Sequence, residues 1–498
     1  MLDFAYFLKK TGEIGYVESI YGDLVYASGL AGAKIGEMVL FEKGQKGIVK
    51  SILAETTEIL LLDIDKVDLG VMAVRSGEDL YITISSESLG RIVNPFGLPL
   101  DAKGEIKNSK SQPLEQETLP LIDRVKINKS LETGVTIIDL LIPIGRGQRE
   151  LVIGDPKTGK TNFLLQTIAR QAQLGTICIY TSIGKKKSDL VTTSEKLEKF
   201  GAMKNIVIIA ASSSTPVSLI YLAPFSAFSM AQYFSTLGRD VLVVLDDISA
   251  HARAYRELSL LSKKMPGRDS YPGDIFHLHA TLMEKAGKFK IPSKSKGQET
   301  ASITCLPVVE TSSGDFAGYI ETNIMSMTDG HIFFDLNRFQ QGARPAVNTG
   351  LSVTRVGKQT QTPLERDYAR KLKAILFSYT KAQNVAKFGV ELHASTQQTV
   401  VLGEKLTTIF DQTTTAIIPK FIQFLYIELL LSGFWQESTL GEIKSGKDSI
   451  LQAYNMGKIK KLTQELTASL EVSSQKLFTS TVAKYRKEIA AICAPTSK

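Results

Sequence analysis

Up to about residue 76 the chain is written in short alternating runs of apolar and polar side chains: Glu13 to Ile20, Leu24 to Leu30, Glu37 to Phe41, Lys46 to Leu53 and Glu58 to Leu62, parted by glycine-containing turns. Alternation with period two puts one face of each strand inward, and several short strands at close spacing must close on themselves to remove their edges. The pattern predicts a small β-barrel over 1–76. From about Gly77 the runs become almost continuously apolar: Glu150 to Ile153, Ile177 to Thr181, Ile206 to Ala210, Val241 to Leu245 and Ile303 to Val309. Strands buried on both faces read this way. Segments between them, such as Thr161 to Ala172, place Leu164, Leu165, Ile168, Ala169 and Ala172 at helical spacing. A parallel α/β domain is therefore predicted over 77–361. After Pro363 only helical periodicity remains, in Leu364 to Phe388, Thr396 to Phe410, Ile422 to Leu431 and the lysine-rich Gly457 to Ile489. A helical bundle is predicted over 362–498, and Pro292 to Gln298 is read as a loop inside the α/β domain.

Composition narrows the class. The 498 residues suit about three domains at about 150 residues each. With 43% apolar and 22% charged residues, disordered, collagen-like and low-complexity chains are excluded. The richest apolar stretch, Ile417 to Trp435, is broken by Lys420, Gln423 and Glu428, so no membrane-spanning helix is expected and any membrane role is read as peripheral. Asp3 within a short apolar run, with lysines after it and no small-residue cleavage pattern, does not read as a secretory signal. Cys178, Cys305 and Cys493 have no metal-ligand spacing, and the first two sit in apolar runs as small buried hydrophobes, which fits a reducing compartment. A net charge of +8 permits nucleic-acid contact without arguing for it. Lys185 to Lys187 and the lysines at 458, 460 and 461 are read as solvated faces, and the five histidines as structural.

One motif carries chemistry by itself. Gly154, Asp155, Pro156, Lys157, Thr158, Gly159, Lys160 and Thr161 spell G-x-x-x-x-G-K-T between a buried strand and an amphipathic helix. An ordinary glycine turn capping a helix needs neither the lysine nor the threonine. In a phosphate loop, backbone amides wrap a polyphosphate, Lys160 meets the β and γ phosphates, and the Thr161 hydroxyl ligates Mg²⁺. Val241 to Leu245 ending in Asp246 and Asp247 is the expected companion, with Asp246 the carboxylate that holds the metal through water.

Three further stretches, Met265-Pro-Gly-Arg-Asp-Ser-Tyr-Pro-Gly-Asp274, Gly342-Ala-Arg344-Pro345-Ala-Val-Asn-Thr-Gly350 and Leu351-Ser352-Val-Thr-Arg355-Val-Gly357, join Gln148-Arg-Glu-Leu-Val-Ile-Gly-Asp155 ahead of the loop. Together they closely resemble the α subunit of the F1 part of F-type ATP synthases, over nearly the whole chain. The resemblance implies a barrel, a RecA-like nucleotide-binding domain and a helical domain. It implies an α3β3 hexamer with catalytic β-type chains around a γ-type shaft, at the cytoplasmic face of a membrane reached only through partners, and no nucleic acid. It implies ATP or ADP with Mg²⁺ as ligands. By residue-by-residue matching it assigns Phe339, Arg344, Pro345 and Gln412 to an adenine pocket, and Ser352 and Arg355 to the segment that enters the neighbouring β active site, with Arg355 as an arginine finger.

In β chains a glutamate in Gly-Glu-Arg positions the attacking water; the matching stretch here is Ile183-Gly184-Lys185-Lys186. A charged lysine accepts no hydrogen bond from water, so this chain is expected to bind ATP without hydrolysing it. Lys185 also departs from the glutamine usual in α chains, and Pro156-Lys157 from the usual Arg-Gln, with Pro156 removing an amide donor. The stretch before the first strand is shorter than the family's stalk-docking segment. These departures also fit an α-like subunit of a divergent F1-like motor that hydrolyses ATP for another purpose. A hexameric RNA translocase would need basic and aromatic residues interleaved on the barrel, and a self-sufficient homohexameric ATPase would need its own base where Lys185 stands.

Overall fold

The computed structural model describes residues 4–116, 118–291, 299–387 and 393–494; the Pro292 to Gln298 loop lies outside them. Chain contacts divide the molecule into two compact units interleaved in sequence. The first comprises residues up to Lys126, Arg146–Ile153 and Gln171–Asp329; the second comprises Ile127–Gly145, Gly154–Arg170 and the chain from Gly330 onward.

In the first unit, β1 (Ile14–Tyr21), β2 (Leu24–Ser28), β3 (Glu37–Phe41), β4 (Lys46–Ile52), β5 (Thr57–Leu61) and β6 (Met72–Asp79) close an antiparallel barrel in the order β1-β2-β5-β4-β3-β6. Val17, Val25, Ala27, Val39, Phe41, Val49, Ile59 and Ala73 fill its interior. The sixth strand was not anticipated, nor was the helix Phe4–Thr11, which buries Phe7. β6 escapes the alternation rule because its second half is polar: Arg75 pairs with Glu37 and Glu13 at 2.9 and 3.1 Å. It also runs beyond residue 76, where the barrel domain was expected to end.

The same unit holds a parallel sheet in the order Ile92–Val93, Ile206–Ser212, Ile177–Lys185, Val241–Asp246, Thr300–Glu310 and Glu150–Gly154. Every apolar run read from the sequence is one of these strands. Among the described residues it is the helix Val217–Thr236, and not the Ile417 stretch, that is long and apolar enough to cross a membrane, but it is mostly buried, as a core helix is. Lys50 of β4 reaches it, 3.0 Å from the Tyr221 hydroxyl. Cys178 and Cys305 are buried, as read.

The second unit is largely helical: Pro363–Lys387, Ala394–Phe410, Lys420–Leu431, Leu440–Asn455, Lys460–Val472, Gln475–Lys484 and Arg486–Cys493. The continuous Gly457 to Ile489 segment is three helices. Ser473 adopts a left-handed φ of 57°, and Ser474 then caps the next helix through the Leu477 amide. Leu440–Asn455, also unanticipated, starts on a Thr439/Glu442 capping box.

Asp139, on the short helix Thr136–Leu141, organises this unit. Its carboxylate accepts from the Thr133 amide and hydroxyl (2.8 and 2.7 Å), the Gly134 amide (3.0 Å) and Gln423 Nε2 (2.8 Å). Burial, then the charge of Glu132, pushes its pKa up to about 6. An acid whose folded pKa lies above its unfolded value stabilises fully below the unfolded value, and the contribution is lost as pH rises through the folded one. Two pK units correspond to about 3 kcal/mol. Asp139→Asn is therefore expected to remove a fall of about that size in unfolding free energy between about pH 4 and pH 7, measured by urea titration.

Candidate functional site

The phosphate-loop motif lies between the strand Glu150–Gly154 and the helix Lys160–Gln173. Lys160 is buried, and its Nζ donates to the Gly154 and Asp155 carbonyls, both at 2.7 Å. Thr158 Oγ1 donates to the Asp155 carbonyl at 2.7 Å. Lys157 holds a left-handed φ of 64° and is exposed, as is Pro156. The loop is thus folded back on its own carbonyls at a helix N-terminus, where the first-turn amides lack helical partners and the helix dipole favours an anion. Among the described residues the Thr161 hydroxyl makes no hydrogen bond, which leaves it available to a ligand.

Asp246 ends the strand Val241–Asp246 at its carboxyl end, where ligands of parallel sheets sit. It is buried, and its Oδ2 accepts from the Tyr180 hydroxyl at 2.7 Å and pairs with Lys185 Nζ at 2.6 Å. Asp247 turns the other way and caps the helix Ile248–Leu261 through the Ser249 and Ala250 amides. Burial, then the charge of Glu310, pushes the Asp247 pKa up to about 6. Lys185 is therefore no solvated charge, in contrast to the reading of its run; Lys186 and Lys187 are exposed. His251 and His279 are structural as expected, buried against each other with Nδ1 and Nε2 3.0 Å apart. Burial lowers the His251 pKa to about 4. His277, on the same helix as His279, faces outward.

The second unit brings Phe339, Arg344, Pro345 and Gln412 together. The Arg344 guanidinium lies 3.7 Å from the Phe339 ring centroid and donates to the Phe339 and Ala343 carbonyls. The Gln412 amide donates to the Arg344 carbonyl at 2.7 Å. Its side chain faces the other way: Oε1 accepts from the Thr136 amide and hydroxyl, and Nε2 donates to the Gly134 and Ala416 carbonyls. Arg344 and Pro345 also border a cavity of 770 Å³ with Tyr379, Asp411 and Lys444.

Ser352 and Arg355 flank the strand Val353–Thr354, antiparallel to Gly330–Phe334. Ser352 Oγ donates to the Asn348 carbonyl at 2.7 Å and accepts from the Phe333 amide at 3.0 Å, so this hydroxyl latches the segment from within. Arg355 is exposed, and no carboxylate pairs with its guanidinium among the described residues. Two anchors hold the backbone on either side. Thr354 Oγ1 donates to the Pro143 carbonyl at 2.8 Å, and Gly357 packs on that same carbonyl. Neither anchor was legible in the sequence, because Pro143 is remote along the chain. Asn348 was missed too, although Asn-Thr-Gly is turn chemistry: its Oδ1 accepts from the Gly350 and Leu351 amides.

Two family models match. The nucleotide-binding domain of the ATP synthase alpha/beta family covers residues 134–354, and the C-terminal domain of its chains covers 361–485. The chain belongs to the ATP synthase alpha/beta family. Among its relatives, the ATP synthase subunit alpha of Ligilactobacillus salivarius (strain UCC118) is 38% identical over 444 residues, 89% of this chain and 87% of the relative. That of Caldanaerobacter subterraneus subsp. tengcongensis is 42% identical over 407 residues, 82% and 79%. That of Petrotoga mobilis is 41% identical over 405 residues, 80% and 79%.

The barrel, nucleotide-binding sheet and helical region expected of an ATP synthase alpha/beta chain are all present. The first family match takes in the phosphate loop, Asp246 and Arg344, and ends at Thr354, the residue before Arg355.

Proposed function

We propose that this chain is a non-catalytic, Mg-ATP-binding α-type subunit of a rotary F1 ATPase or ATP synthase. In this reading it alternates with catalytic β-type chains in an α3β3 hexamer around a γ-type shaft, peripheral to the cytoplasmic face of a membrane, and couples ATP chemistry to rotation. The observation that carries it is Lys185. At the end of the strand after the phosphate-loop helix stands an ammonium bound to Asp246, where a base for water would have to be. An alkylammonium accepts neither a hydrogen bond nor a proton from a water, so it cannot activate one against phosphates held by Lys160 and the helix N-terminus.

Phe339, Arg344 and Pro345 are proposed to take the adenine, with Gln412 bracing Arg344 through its backbone. The Thr161 hydroxyl and the Asp246 carboxylate are the groups proposed to face Mg²⁺. They have the right chemistry: Asp246 Oδ1 shares none of the contacts that hold Oδ2, and hard oxygens suit this cation. Bound there, Mg²⁺ would offset phosphate charge. Arg355 is proposed to act in a neighbouring β-type chain's site, with Ser352 positioning its segment.

The test is ATP binding and single-turnover hydrolysis on the purified full chain. Binding without turnover is expected. Lys160→Ala should weaken binding about a hundredfold, the equivalent of two charge-assisted hydrogen bonds of about 1.5 kcal/mol each. Steady turnover that Lys160→Ala abolishes would overturn the non-catalytic assignment.

A further inference from the structure

The helix Leu440–Asn455 buries Lys447 against the end of another helix, Ala394–Phe410. The last carbonyls of a helix have no partner within it, and the dipole there favours a cation. Lys447 Nζ donates to the Thr408 and Asp411 carbonyls, both at 2.7 Å. The Tyr426 hydroxyl donates to the Lys447 carbonyl at 2.7 Å and holds its backbone. Burial lowers the Lys447 pKa to about 8 and the charges of Asp411 and Asp448 oppose that fall, so the group is an ammonium at pH 7. The peptide group whose oxygen it grips joins Asp411 to Gln412, and the N–H of that same peptide donates to the Arg344 carbonyl at 2.7 Å. Arg344 in turn stands over Phe339. Thr408 and Asp411 also line the cavity that Arg344 and Pro345 border. All of these residues belong to the second unit, as does Lys160.

We propose that Lys447 is a positioning residue for the base of the bound nucleotide, acting through the Asp411–Gln412 peptide. The proposal rests on the reading of Phe339, Arg344 and Pro345 as an adenine pocket. A peptide group is planar, so an ammonium on its oxygen fixes the direction of its N–H, and here that N–H holds Arg344. A hydrogen bond at the carbonyl also polarises the amide and strengthens the bond that it donates. Without Lys447 two carbonyls lose their buried partner, and the Gln412 amide loses one of its two anchors. The other anchor, the Gln412 side chain on Gly134 and Thr136, remains, so base binding is weakened and not abolished. Lys160 makes its contacts within the phosphate loop and takes no part in this chain of contacts, which confines the effect to the base end of the ligand.

The experiment is isothermal titration of the full chain at neutral pH with Mg-ATP and, separately, with magnesium tripolyphosphate, which carries the phosphates without the base, for wild type and Lys447→Met. The variant should bind ATP about tenfold more weakly, the usual size of coupling within one hydrogen-bonded network, and tripolyphosphate within about twofold of wild type. Equal losses for both ligands make Lys447 a general support of the fold, and no loss for either leaves it without a part in binding; each result overturns the proposal. If Lys447→Met does not fold, Lys447→Gln, which keeps an amide donor and gives up the charge, is read by the same criterion, with an expected loss of about threefold for ATP alone. A wild type that binds ATP no more tightly than tripolyphosphate overturns the adenine pocket itself, and this proposal with it.

Discussion

Arg355→Lys is expected to lower the ATP turnover of the assembled hexamer about a thousandfold or more, the usual worth of an arginine finger acting in trans. Arg355 extends from a segment held on both sides, by Thr354 on the Pro143 carbonyl and by Gly357 against it, while its own guanidinium is exposed and has no carboxylate partner among the described residues. An arginine anchored at its backbone and left open at its tip is suited to charge outside its own chain. A guanidinium offers a planar fork to the equatorial oxygens of a transferring phosphoryl group; lysine keeps the charge and loses the fork. Because the contact is made mainly in the transition state, ATP binding to this chain and assembly should be almost unaffected. Comparing wild-type and Arg355→Lys hexamers for turnover, nucleotide content and subunit ratio checks it. Full activity in the variant refutes the role, and failure to assemble makes the arginine structural.

The parts of the fold that could be read from the sequence are those where one periodicity suffices. Barrel strands β1 to β5 stand out as short apolar-rich runs between glycine turns, although β3 and β5 are buried along their whole length and do not alternate; the parallel strands are apolar throughout because both faces are covered, and the phosphate loop announces itself by spacing. What escaped depends on partners distant in sequence. β6 carries Arg75, Glu78 and Asp79; its pairing with both β1 and β3 closes the barrel, and Glu13 and Glu37 meet the arginine there. The last helices break at Ser473, where a single left-handed residue outweighs a helical pattern that runs straight through it. The site followed the same division. The sequence expectation for Lys185 was a solvated charge at a strand end; that its Nζ instead lies 2.6 Å from Asp246 Oδ2 depends on how the two parallel strands are registered, which residue types alone do not reveal. Ser352 likewise matched a stretch expected to reach outward, yet its hydroxyl is tied to Asn348 and Phe333, so its part is to hold the segment that presents Arg355.

Gly357→Ala should reproduce most of the Arg355 defect without touching the arginine. A Cβ built at Gly357 falls 1.6 Å from the Pro143 carbonyl oxygen and 2.6 Å from Thr354 Oγ1. The first of these is backbone, so no rotamer change relieves it, and the Thr354 to Gly357 segment must move off Pro143. Displacing a catalytic group by about 1 Å costs about a hundredfold in rate, because a transition-state contact has little tolerance for distance. Turnover of the hexamer is therefore expected to fall about a hundredfold in Gly357→Ala, while ATP binding at the phosphate loop is retained. Thr354→Val, which removes the hydrogen bond to Pro143 and adds no atom to the crowded side, should shift turnover in the same direction by less. The decisive measurement is the double variant. If Gly357 acts only by placing Arg355, then Gly357→Ala with Arg355→Lys will be no slower than Arg355→Lys alone, since a group already lost cannot be misplaced. Losses that multiply would show that Gly357 serves the fold or the interface independently, and the anchoring argument would fall.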